Sequence, residues 1–172
     1  PYDNDGNITW ELITERTNTD LANTLGNLVN RTVSMSNKYF DGAVTDSDTA
    51  EPVDEELKAV VCARRDKVSA NMARFHIADA LSEIMALFKR CNKYIDETLP
   101  WALAKEESSL PRLQTVLYNL TDSIQTGASL LYPFLPETAE KIIAQIGGKL
   151  LDFDSLNQTG QYASGTKVTQ SP

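Results

Sequence analysis

The sequence predicts an all-α domain, a bundle of about five helices followed by a short extended C-terminal tail. Three observations carry this. Apolar residues recur at steps of three and four along several long stretches, the spacing of one helix face. Proline and glycine fall between those stretches, at Gly42, Pro100, Pro133, Pro136 and Gly147-Gly148, where they begin or end helices. A chain of 172 residues with 41% hydrophobic content is the size of one domain with a substantial core.

Taken in order, residues 1–9 read as a polar connector, 10–148 as the helical domain and 149–172 as the tail. Trp10, Leu12 and Ile13 start a short amphipathic segment with Thr9 at its N-cap position. Farther on, Leu21, Leu25, Leu28, Thr32, Met35 and Tyr39 alternate steps of four and three, which makes one core-facing helix stripe. One position back, Asp20, Thr24, Asn27, Arg31, Ser34 and Lys38 are all polar, so a polar rib runs beside that stripe. Asp41-Gly42 ends the helix, glycine supplying the left-handed turn. Residues 43–54 are rich in Asp, Thr, Ser and Pro and read as a loop. A helix from Glu55 to about Ala73 carries Leu57, Val60, Val61 and Ala63. The longest regular stretch is Phe75–Thr98, where Ile77, Leu81, Ile84, Met85, Phe88, Cys91 and Ile95 keep helical spacing until Pro100 breaks it. A short turn or helix holds Trp101 to Glu106. Leu110, Leu113, Leu117, Leu120, Ile124, Ala128 and Leu131 mark the next helix, and Pro136 suits the first turn of a last one over Glu137–Ile146. From Leu151 the pattern dissolves into Asn, Gln, Thr, Gly and Ser. Tyr162 and Val168 are the apolar anchors of an extended tail with room for one short strand.

Composition excludes several function classes. A net charge of −8 argues against bulk nucleic-acid binding, DNA included, which rests on many Lys and Arg contacts to phosphate; a few specific contacts on one face remain compatible with it. No apolar run approaches a membrane span, and no secretory signal pattern opens the chain. Cys62 and Cys91 stand alone in helical segments without a CxxC or a histidine cluster. That argues against a zinc site and fits reduced thiols in a cytosolic protein. His76, the single histidine, has no Cys, Ser or carboxylate constellation around it and reads as structural. Asp96-Glu97 are neighbours on a helix end, so they face different sides and do not converge for acid–base work; Lys93 and Lys105 are their candidate partners. Gly147-Gly148-Lys149 lacks the first glycine and the Ser or Thr of a phosphate loop. No catalytic residue and no metal ligand is expected. The chain opens on Pro1 and stops at Pro172, and reads as a piece of a longer protein.

The candidate binding residues lie in two places. Asn27 and Arg31 are four apart on one helix face, where an amide and a guanidinium share one base's edge, Arg as donor and Asn as donor or acceptor. The alternative is a solvated face with Arg31 paired to Asp20 or Glu83. Asn30 is partly off that stripe and is the lesser candidate. Trp101 follows Pro100 just after a helix break rather than on a core stripe, and proline stiffens its approach; the alternative is an ordinary core tryptophan. A flat indole with a forked donor suits an unstacked RNA base. A helical protein-interaction domain without RNA binding is the competing reading, mildly favoured by the acidic balance.

The residues that carry a resemblance are Asn27-Leu28-Val29-Asn30-Arg31, Phe40-Asp41-Gly42, Tyr94-Ile95-Asp96-Glu97, Pro100-Trp101-Ala102-Leu103-Ala104-Lys105 and Leu131-Tyr132-Pro133-Phe134-Leu135-Pro136. In order and spacing they resemble the anticodon-binding domain of methionyl-tRNA synthetases, from about Trp10 to Gly148. The related class I enzymes for isoleucine, valine, leucine and cysteine carry similar bundles; the Pro-Trp-x-x-Ala-Lys block favours the methionine family. Gly160, Gly165, Lys167 and Val168 resemble the stretch by which that family's chain returns toward its catalytic domain. The resemblance implies that Asn27, Arg31 and Trp101 read the anticodon CAU, Trp101 stacking on the cytosine, with Pro100 shaping the pocket. It implies as partners the methionine tRNAs, initiator and elongator, and the catalytic domain of a cytoplasmic parent ligase that uses ATP and Mg. The His-Ile-Gly-His-like and Lys-Met-Ser-Lys-Ser-like signatures of catalysis are not in this sequence. His76-Ile77-Ala78-Asp79 and Met35-Ser36-Asn37-Lys38 only echo them, so the chain by itself should neither bind ATP nor form aminoacyl-tRNA.

Overall fold

The computed structural model describes Glu15 and residues 19–169, with the backbone alone for Leu21 and Ala22. The expected connector and the short helix around Trp10, with its Thr9 cap, lie outside the described residues.

A π-helical turn, Leu21–Leu25, leads into α1, Gly26–Phe40. Leu25, Leu28 and Thr32 of the expected core face are buried, while Met35 and Tyr39 are half-buried. Thr32 and Ser36 are buried at no hydrogen-bonding loss. Their hydroxyls donate back to the Leu28 and Thr32 carbonyls, each at 2.8 Å. The helix ends as expected, with Asp41 at φ 54° sharing the left-handed turn with Gly42 at φ 84°.

α2 spans Pro52–Ala73, three residues longer at its start than the sequence reading gives. Pro52 opens its first turn, and Glu51 and Asp54 form a reciprocal capping box, the Glu51 amide donating to Asp54 at 3.1 Å. A Glu at the cap hides this signal in the sequence. α3, Ile77–Thr98, buries nine side chains from Ala80 to Ile95. Phe75, expected inside this helix, instead sits in the turn before it at φ 60°. Leu99 at φ 50° ends α3 ahead of Pro100.

A four-residue helix, α4 (Pro100–Leu103), and a 3-10 turn, Glu107–Ser109, lead to α5, Leu110–Leu131. α5 is the axis of the bundle, with every residue from Thr115 to Leu131 buried, polar ones included. Thr121, Ser123 and Ser129 satisfy themselves by donating to carbonyls four residues back. α6, Pro136–Ile146, ends at Gly147 with φ 66°.

The tail is bound along its length. A 3-10 turn, Phe153–Ser155, precedes β2, Thr166–Lys167, which pairs antiparallel with β1, Ala43–Val44. β1 falls where a loop is expected, because two residues carry no alternating pattern and the partner lies at the other end of the chain. Asp122 of α5 accepts the amides of Gly160 (2.8 Å), Gln161 (2.9 Å) and Tyr162 (2.9 Å). Tyr118 donates to the Tyr162 carbonyl at 2.7 Å, and the Tyr162 hydroxyl donates to Ile146. Both expected anchors, Tyr162 and Val168, are buried. Among the described residues no helix is long and apolar enough to cross a membrane.

Candidate nucleic-acid interface

The site is assembled where α1 meets the C-terminal end of α3. The Asn92 amide of α3 donates to the Thr24 carbonyl at 3.4 Å, and one turn on, Asp96 lies 3.7 Å from the Arg31 guanidinium. The second contact joins the polar rib of α1 to the segment that carries Trp101, five residues after Asp96. Asn27 and Asn30 are exposed, and Arg31 is half-buried. The acid partner that the solvated-face alternative gives Arg31 is therefore present, but it is Asp96 rather than Asp20 or Glu83, the latter being taken by Arg64 at 2.6 Å. The lysine partners expected for Asp96-Glu97 are replaced in the same way, Glu97 bonding Arg90 at 2.6 Å.

Trp101 is 44% exposed, and so is Leu99, while Pro100 between them is buried. The chain thus anchors itself by the proline and holds two large apolar side chains at the surface. The reason is local. Leu99 adopts the left-handed conformation, its amide still bonded to the Ile95 carbonyl at 3.0 Å. Pro100 cannot continue α3 and starts α4 in a new direction. The core alternative for Trp101 does not hold.

Beneath this edge lies a buried polar network that sequence reading missed. Arg112 of α5 forks onto Asp54 of α2, Nη1 to Oδ2 at 2.7 Å and Nη2 to Oδ1 at 2.8 Å, and Nη1 also donates to the Thr49 carbonyl at 2.7 Å. The Tyr94 hydroxyl donates to Asp54 at 2.6 Å and accepts from Asn119 at 3.1 Å. Burial pushes the Asp54 carboxyl up, but the hydrogen bonds from Arg112 and Tyr94 outweigh it and hold its pKa below the ordinary value. Burial likewise works against the Arg112 charge, and the bond to Asp54 more than restores it. Burial raises the pKa of the Tyr94 phenol, so it stays a donor. Its one local element is the Glu51–Asp54 capping box, hidden by the Glu at the cap and by the loop reading of 43–54; the contacts to Tyr94 and Arg112 join separate helices.

Among the described residues no group of His, Cys, Asp and Glu is placed to hold a metal ion. His76 is exposed at the start of α3, 3.8 Å from Asp79. Cys62 and Cys91 are free, and burial pushes the Cys91 thiol up to about 12, which makes it inert.

Comparison with known proteins completes the assignment. Residues 54–162 match the family described as the anticodon-binding domain of tRNA ligase, and residues 1–33 match the class I tRNA synthetases of the methionine type. Methionine–tRNA ligase of Clostridium acetobutylicum is 44% identical over 99% of this chain, and that of Fusobacterium nucleatum 39% over 97%. The chain spans about a quarter of the length of these relatives, 26% and 27%. The methionyl-tRNA synthetase of Mycobacterium tuberculosis, solved with methionyl-adenylate, superposes with a TM-score of 0.83 at 31% identity, over 94% of this chain and 32% of that one. Its free form gives a TM-score of 0.81 over 91% of this chain and 32% of that one, at 30% identity.

The fold is an all-α bundle, and the chain belongs to the anticodon-binding domain family of tRNA ligases. Within that family it is of the methionyl-tRNA synthetase kind. This decides against a helical interaction domain without RNA binding.

Proposed function

We propose that the chain selects the methionine tRNAs, initiator and elongator, by their CAU anticodon, on behalf of a cytoplasmic methionine–tRNA ligase. Joining methionine to tRNA with ATP and Mg would fall to the parent's catalytic domain. Trp101 offers its exposed ring to the unstacked cytosine, and Arg31 and Asn27, one turn apart, address the edge of that base or its neighbour. Asn30 is exposed partly off that stripe, and Pro100 sets the direction of the segment that carries the ring. The observation that carries this reading is the Arg31–Asp96 contact, 3.7 Å. It brings the rib of α1 to the end of α3, from which Trp101 is displayed.

The test is a low-salt titration, followed by tryptophan fluorescence, with a CAU stem-loop and with one altered only at the cytosine. The expected result is tighter binding of CAU. In Trp101→Ala that preference should vanish, with about 1–3 kcal/mol lost, the usual worth of a base stacked on an aromatic side chain. Equal binding of both loops by the unmodified chain would overturn the base-reading role.

A further inference from the structure

The outer face of α3 carries a second feature that the base-reading residues do not use. Ser82, Ala86, Lys89, Lys93 and Asp96 follow one another at steps of four and three, so they share one face. All are exposed except Ala86, which is half-buried. The face toward α2 neutralises itself: Glu83 pairs with Arg64, and Arg90 pairs with both Glu97 and Glu56 at 2.6 and 3.6 Å. At the C-terminal end of the lysine face itself, Asp96 pairs with Arg31 of α1. Lys89 and Lys93 have no carboxylate in ion-pair range among the described residues. In a chain of net charge −8, two such ammonium groups in line are a local reversal of sign.

Their placement gives them a partner. At a rise of about 1.5 Å per residue, Lys93 lies about 8 Å and Lys89 about 14 Å before the last residue of α3. Trp101 is displayed just past that end. An RNA strand held at Trp101 therefore comes within about three helix turns of both lysines. Lysine suits a contact to its phosphates, being a compact charge on a flexible stem that follows a phosphate without demanding one geometry. Contacts of this kind fix position without reading sequence.

We propose that Lys89 and Lys93 form a phosphate rail, which grips the backbone of the anticodon arm whose loop is read at Trp101. The proposal rests on the base-reading role above for its choice of RNA, but its signature is different. Phosphate contacts release counterions, so each one steepens the salt dependence of binding, by about 0.7–0.9 in the slope of log K against log salt.

The experiment compares the 172-residue chain with Lys89→Gln/Lys93→Gln, titrating both stem-loops over a series of salt concentrations. Lys141→Gln, an exposed lysine on α6, serves as the control for net charge. The double variant should lower the slope by about 1.5 and weaken both loops by the same factor, leaving the ratio between them unchanged. Lys141→Gln should leave the slope in place. An unchanged slope in the double variant, or an equal drop in the control, overturns the rail. The two ideas fail separately. A lower slope with no preference between loops keeps the rail and removes base reading. An intact CAU preference that depends on Trp101, with an unchanged slope, does the reverse.

Discussion

Arg112→Ala is the substitution that most directly tests how the edge carrying Trp101 is held. Asp54 is 1% exposed and Arg112 9%, so removing the guanidinium leaves a carboxylate buried with only the Tyr94 hydroxyl and the Glu51 amide to answer its charge. Breaking one side of such a pair costs about 3–5 kcal/mol, against a total stability of about 5–15 kcal/mol for a domain. Asp54→Asn is milder, because Arg112 keeps the Thr49 carbonyl at 2.7 Å and Glu51 at 3.3 Å; a loss of about 1–3 kcal/mol is expected from the weakened hydrogen bonds. The two are told apart by pH. The folded-state pKa of Asp54 lies below its ordinary 3.8, so the stability it contributes is complete above that value and is lost as pH falls through the folded one. The unmodified chain should therefore lose stability below about pH 4 through this group, and Asp54→Asn should lose less over the same interval. Urea denaturation followed by circular dichroism, at neutral pH and through the acid range, measures both. If Arg112→Ala came within about 1 kcal/mol of the unmodified chain, the range of an exposed pair, this account of the network would be wrong.

Two further substitutions probe the scaffold. At Gly127 an added Cβ would stand 2.5 and 2.6 Å from Cε1 and Cζ of the buried Phe88 ring, so Gly127→Ala should cost about 1–3 kcal/mol by overpacking, read as a lower urea midpoint with an unchanged slope. Asp122→Ala removes the acceptor of three consecutive tail amides. Hydrogen exchange at Gly160, Gln161 and Tyr162 should accelerate strongly, while exchange in the middle of α3 should change far less.

The helices were legible from their periodic apolar faces, most of them bounded by proline or glycine; the α2–α3 junction at residues 74–76 has neither, and there the start of α3 was misplaced. Leu28, Ile84, Phe88 and Leu117 all stand where that spacing places them, fully buried. α5 was legible as a helix but not as the axis, since Thr121, Ser123 and Thr126 are polar, and their burial lies outside what an apolar stripe predicts. In the candidate site, the exposure of Trp101 followed from Pro100 and the helix break. The partner of Arg31 did not, because Asp96 lies on another helix and its distance is set by how α1 packs on α3. The Asp54–Arg112–Tyr94 network and the β1–β2 pair were illegible for the same reason. Each joins residues far apart in sequence, through contacts that single-chain periodicity does not encode.

The network also explains how so small an element as α4 presents a rigid ring. A helix of four residues, Pro100–Leu103, does not hold itself together in water, where nucleation outweighs the few hydrogen bonds gained. Its position comes from outside. Pro100 is buried and fixes one backbone angle, and Leu99 is held in a left-handed turn. In the last turns of α3, Tyr94 is tied to Asp54, and through it to Arg112 and α5. The backbone that carries Trp101 is thereby fixed, and in the base-reading role proposed above less of the ordering entropy would be charged to binding. A domain of net charge −8 gains little from general attraction to phosphate, so under that proposal its affinity rests on a few contacts already in place.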